Sequence, residues 1–88
     1  MRLDKFLKLS RIIKRRTVAK EIAGKGRIQV NGQPAKASSN LQVGDELTIH
    51  FAQKKLTIKI EDLREQVNKE QAENLYSVIN EERINSEE

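Results

Sequence analysis

The chain has no cysteine and no tryptophan, and only one proline and one histidine among its 88 residues. Without cysteine there is no disulfide framework, no thiolate zinc site and no thiol nucleophile. With His50 as the single imidazole, a metal site would be nearly all carboxylate, and neither a metal nor a cofactor is expected. Aromatic residues are equally scarce. Phe6, Phe51 and Tyr76 all stand where the patterning predicts burial, which disfavours the exposed stacking platforms of single-strand binders. No apolar run approaches the ~20 residues of a membrane span. The start of the chain is charged from Arg2 onward and has no secretory apolar core. A soluble, cytoplasmic protein with no membrane partner is the expectation. The apolar content of 36% supports one modest core and not two.

What the chain has in excess is positive charge, unevenly placed. Residues 1–60 hold 14 Lys and Arg against 4 Asp and Glu, whereas residues 61–88 hold 3 against 9. A small domain with that much charge of one sign repels itself unless it meets a polyanion. Arg2, Lys5, Lys8, Arg11, Lys14, Arg15, Arg16 and Lys20 fall within 19 positions with almost no acids between them. Mixed signs are what plain solubility produces, so this run points to nucleic acid.

The periodicity places these charges. Leu3, Phe6 and Leu7 recur at i, i+3, i+4, predicting a helix over about 2–9 with Arg2, Lys5 and Lys8 outward. A second helix is predicted over about 15–23, burying Val18, Ala19, Ile22 and Ala23, with Arg16 and Lys20 together on one flank. Gly24 or Gly26 supplies its left-handed stop. The period then shortens to two. Ile28 and Val30 precede Asn31-Gly32, a dipeptide suited to a tight hairpin turn in which Gly32 tolerates positive φ. Pro34 and residues 36–40 read as an irregular return, and Gly44-Asp45 as another turn. Leu47, Ile49 and Phe51, then Leu56, Ile58 and Ile60, alternate as a hairpin with one buried face. His50 falls on the opposite, solvent face.

The last segment fits a helical spacing. Asn68 is placed to cap it, with Gln71 as reciprocal partner. Ala72, Leu75, Tyr76, Ile79 and Arg83 share one side, from which Leu75, Tyr76 and Ile79 are expected to dock. Residues after Ile84 are expected to fray. The predicted fold is thus α+β: two N-terminal helices on a small antiparallel sheet, with an accessory C-terminal helix. It divides into a binding domain (1–60), a linker (61–67) and an acidic helix and tail (68–88).

Catalysis finds no support. Asp4, Glu21, Asp45 and Glu46 are scattered among bases, and no phosphate loop, nucleophile elbow or metal-ligand spacing occurs. A helix pair with a basic outer surface suits the phosphate backbone of a folded RNA. It suits base reading in a DNA groove less, because the second helix is rich in alanine. Asp4, acidic within a basic surface, is expected to orient or neutralise a nearby arginine. For Asn31, capping its turn and reaching RNA are equally open.

Four stretches in order carry a family resemblance: Arg2-Leu3-Asp4-Lys5-Phe6-Leu7, Lys14-Arg15-Arg16-Thr17-Val18-Ala19, Gly26-Arg27-Ile28-Gln29-Val30-Asn31-Gly32 and Gly44-Asp45-Glu46-Leu47. Together, over about residues 1–51, they resemble the S-four RNA-binding domain, named for ribosomal small-subunit protein four. The compact chain is similar to its heat-shock-type, ribosome-associated subgroup. The resemblance implies a non-enzymatic factor of ribosome-associated quality control. Such a factor binds the large ribosomal subunit carrying an obstructed peptidyl-tRNA and contacts ribosomal RNA and the P-site tRNA. It also supports a tailing factor of the RqcH/NEMF class in adding C-terminal alanines. For the chain itself, a monomer is the expectation. A general ribosome-assembly or heat-shock RNA-binding role is the alternative. The implied RNA contacts are Arg2, Lys5, Arg16, Arg27 and Asn31, within the wider set of Lys8, Arg11, Lys14, Arg15 and Lys20. Asp4, Gly26, Gly32 and Gly44 carry structural roles. Where many relatives start the second helix with Ser, this chain has Arg15, losing a cap worth about 1 kcal/mol. Relatives often carry tryptophans in the first helix and a basic C-terminal extension. This chain has Phe6 and Lys8, and an acidic end.

Overall fold

A computed structural model describes residues 1–83. The order of elements is α1 (Leu3–Leu9), α2 (Arg16–Gly24), β1 (Ile28–Val30), β2 (Gln33–Pro34), β3 (Glu46–His50), β4 (Lys54–Ile60), a 3-10 turn (Ala72–Leu75) and β5 (Tyr76–Arg83). The strands form one antiparallel sheet in the order β2-β1-β3-β4-β5. Both helices, the β1 strand and the β3–β4 hairpin stand within a few residues of the sequence expectation.

Alternation dictates which face of the sheet is buried. Leu47 and Ile49 on β3 and Leu56, Ile58 and Ile60 on β4 point into one core with Ile28, and Leu47 pairs with Ile58 and Ile49 with Leu56. Leu3, Phe6 and Leu7 of α1 and Ala19 and Ala23 of α2 close that core. His50 falls on the other face, half-buried, as expected. Val18 does not join the core: it is 36% exposed at the start of α2. Phe51 and Tyr76 are half-buried rather than buried.

The turns follow from backbone chemistry. Asn31 (φ 53°) and Gly32 (φ 83°) close the two-residue β1–β2 hairpin, the positive pair that a type I′ turn requires. Gly26 (φ 74°) ends α2: its N–H donates to the Ala23 carbonyl, and the next N–H, of Arg27, donates to Ile22. These two bonds make a Schellman cap and settle the stop on Gly26 rather than Gly24. The return after β1 is more ordered than expected, since Gln33 and Pro34 pair with Val30 and Gln29.

The C-terminal helix is not formed. Asn68 and Gln71 do make their reciprocal bonds: the Gln71 N–H donates to Asn68 Oδ1 (2.8 Å) and the Asn68 N–H to Gln71 Oε1 (3.3 Å). They open only a turn and one 3-10 turn, after which the chain extends and pairs along the whole of β4. Leu75 docks as expected (1% exposed), but Ile79 is 50% exposed. It occupies a bulge, because Thr57 faces Asn80 while Ile58 faces Val78. The unpaired edge of β4 offers seven residues of backbone hydrogen bonding, and Tyr76-Ser77-Val78-Ile79 has the β-branched and aromatic content to take it. The expectation for the residues after Ile84 lies outside the described residues.

Candidate nucleic-acid interface

The start of α1 is stitched to the loop after β2. The Leu3 N–H donates to Ser39 O (2.8 Å), the Asp4 N–H to Ala37 O (3.1 Å), and the Leu41 N–H returns to Met1 O (2.8 Å). Two of the donors left orphaned at a helix start are thereby satisfied. The same bonds fix Arg2 and Asp4 on a rigid frame.

Asp4 has no exposed surface, yet its carboxylate serves two arginines. Arg2 donates from Nε to Oδ1 (3.2 Å) and from one terminal nitrogen to Oδ2 (3.4 Å); Arg16, at the start of α2, donates to Oδ2 (3.2 Å). Burial works to raise the Asp4 pKa. The hydrogen bonds and charges of Arg2 and Arg16 oppose it and prevail, so the carboxyl ionises below its ordinary value of 3.8. The two arginine side chains are 49% and 43% exposed. Each is therefore held from behind by a buried anion and open to solvent in front, with donors left for a bidentate phosphate contact. The role expected of Asp4 is the one it performs, for two arginines rather than one.

The remaining cations differ in what holds them. Lys8, Lys14, Arg15, Lys20 and Arg27 are exposed and make no ion pair among the described residues. Arg15 precedes α2 without a side-chain cap bond, as its identity predicts. Lys5 is half-buried and pairs with Glu65 from the acidic segment, whose carboxyl that ammonium holds below its usual range. Asn31 is committed to its turn: its Nδ2 donates to Asp45 Oδ1 (3.1 Å) and its Oδ1 accepts the Glu46 N–H (3.0 Å). Arg11 stands apart at the end of α1 with φ 63°, a left-handed residue that the patterning gave no reason to expect. Gly44 turns the chain at φ 98°, with the Asp45 carboxylate accepting the Gln42 N–H. Nothing here aligns a nucleophile with a base, and no group of three or more potential metal ligands occurs among the described residues. No described helix is long and apolar enough to cross a membrane.

The S4 domain family model matches residues 1–47, which include the Arg2–Asp4–Arg16 cluster, both helices and the Asn31-Gly32 turn. The chain belongs to the S4 domain family. Within it, the chain is 55% identical over 84 residues to the RQC P-site tRNA stabilizing factor of Bacillus subtilis, covering 96% of this chain and 98% of that one. It is 56% identical to the factor of the same name from Halalkalibacterium halodurans, covering both chains in full. Heat Shock Protein 15 of Vibrio cholerae has the same fold, with a TM-score of 0.81 at 33% identity over 89% of this chain and 80% of that one. In this S4 protein the basic residues of α1 and α2 lie inside the matched region. Glu65 and the strand β5 lie outside it, and it is Glu65 that engages Lys5. That pairing left no signal in the sequence beyond opposite charge.

Proposed function

We propose that this protein is an RNA-binding positioning factor of ribosome-associated quality control. It acts on large ribosomal subunits that hold an obstructed peptidyl-tRNA, contacts ribosomal RNA and the P-site tRNA together, and supports alanine tailing by a factor of the RqcH/NEMF class. It works as a monomer, in the cytoplasm, and performs no chemistry itself. The observation that carries this reading is the pair of guanidiniums on a buried carboxylate, flanked on two short helices by exposed cations that are unpaired among the described residues. Full-length similarity to proteins named as P-site tRNA stabilizing factors supports the ribosomal setting. The physical task is retention: a body that touches two RNAs at once makes each contact effectively intramolecular and slows departure of the tRNA.

The test uses cations that make no ion pair among the described residues. Lys14→Gln, Arg15→Gln and Lys20→Gln combined should reduce co-sedimentation with peptidyl-tRNA-bearing large subunits by at least tenfold, on the order of 0.5 kcal/mol or more per charge. The circular dichroism spectrum should be unchanged. Undiminished co-sedimentation overturns the assignment. Equal pelleting with small subunits or free ribosomal RNA would instead support a general assembly role, for which the likeness to Heat Shock Protein 15 speaks.

A further inference from the structure

A second feature lies just past the C-terminal end of α1, whereas Arg2 stands at the N-terminal end of that helix. There the C-terminal segment leaves an open groove of about 380 Å³. Arg11 lines it from the left-handed end of α1; Lys69, Ala72, Glu73, Tyr76 and Val78 line it from the other side. Most of these residues lie outside residues 1–47, so the groove is not part of the region matched by the S4 family model.

We propose that this groove takes one unpaired RNA nucleotide, its base against the Tyr76 ring and its phosphate between Arg11 and Lys69. The inference rests on the RNA-binding reading above and adds a subsite to it. The volume lies at the small end of ligand sites and suits a single nucleotide rather than a helix. Tyr76 is half-buried and its backbone is held by pairing with Ile60, so the residue is anchored in the sheet while part of it stays accessible. Ala72 is buried, and Val78, 55% exposed, adds apolar surface beside the ring. Arg11 and Lys69 are both exposed and unpaired among the described residues. Two cations and an aromatic residue lining one groove are what a stacked base with its phosphate needs. Glu73 supplies an acceptor, which favours a base presenting an amino group, as cytosine does through N4.

The test compares two RNA hairpins of equal length, one fully paired and one with a single bulged 2-aminopurine, using the full chain at low salt. The protein should bind the bulged hairpin about tenfold more tightly, the size expected of one base stacked on an aromatic ring, and should change the bulge fluorescence. Tyr76→Leu should abolish that preference and leave the paired hairpin bound as before, whereas Tyr76→Phe should keep it. Should the leucine variant fail to fold, Arg11→Asn, which tolerates a positive φ, must weaken the preference. Equal binding of both hairpins by the unsubstituted protein overturns the nucleotide site alone. Binding of neither overturns the RNA reading on which it rests. Loss of alanine tailing in Tyr76→Leu with the hairpin preference intact overturns the nucleotide site while leaving the RNA reading in place, and assigns the groove to a protein contact.

Discussion

Asp4 shows how one residue links stability to the presentation of charge. A carboxylate without exposed surface is tolerable because two guanidiniums donate to it, and those guanidiniums are aimed because the carboxylate holds them. Replacing both Arg2 and Arg16 by alanine would strand the anion in the interior at a cost of about 2–3 kcal/mol. That is a large share of the stability of a domain this size, so loss of ribosome binding in such a variant would be hard to separate from unfolding. Asp4→Asn is cleaner: both arginines can turn to solvent, and the loss should be about 1–2 kcal/mol. RNA affinity should fall roughly fivefold, because the arginines are no longer preorganised. The pH dependence identifies the cause. A carboxyl whose folded pKa lies below its ordinary 3.8 contributes stability that is complete above that value and is lost as pH falls through the depressed one. The gap in urea midpoint between the native protein and Asp4→Asn should therefore narrow between about pH 4 and pH 2. A gap independent of pH would refute the ion-pair account.

Among the elements, the C-terminal segment is where spacing and structure part company. Ala72, Leu75, Tyr76 and Ile79 fit a helical stripe, and the Asn68–Gln71 capping pair does form. The outcome was decided elsewhere, by the edge of β4. Its buried Leu56, Ile58 and Ile60 fix one face of the strand, but its outer backbone groups need a partner, and β5 supplies it. Such a demand is non-local and leaves no mark on the segment that answers it. The signals that were legible are local ones: Asn31-Gly32 needs positive φ, Gly26 caps α2, and the alternation of residues 47–60 can bury only one face. The measurable consequence lies at two positions. Leu75→Ala should cost about 2–4 kcal/mol, as for any buried leucine, whereas Ile79→Ala on its exposed bulge should stay within about 0.5 kcal/mol. A docked helix would make the two comparable, so similar losses in denaturant titrations would refute the strand.

At the scale of the whole molecule, the charge division is partly reconciled inside the fold. Glu65 reaches Lys5 on α1 and Glu81 reaches Lys54 on β4, so the acidic half sits on the basic half at two points. Lys8, Lys14, Arg15, Lys20 and Arg27 receive no such partner among the described residues, and Arg2 and Arg16 retain exposed donors. The clustering of cations on α1 and α2 was thus readable in outline from the density of basic residues. Which cations are free and which are occupied depends on chain segments 60 positions away, and composition cannot show that. The distinction is testable through salt. With about five or six phosphates neutralised, affinity for structured RNA should fall two to three decades between 50 and 200 mM salt. Removing the three free charges at Lys14, Arg15 and Lys20 should lower the slope of log K against log salt by about three. Glu65→Gln releases Lys5 from its partner and should raise that slope by up to about one. If Glu65→Gln leaves the slope unchanged while Lys5→Gln lowers it, Lys5 contacts RNA despite its ion pair. If neither changes it, Lys5 lies outside the RNA footprint altogether.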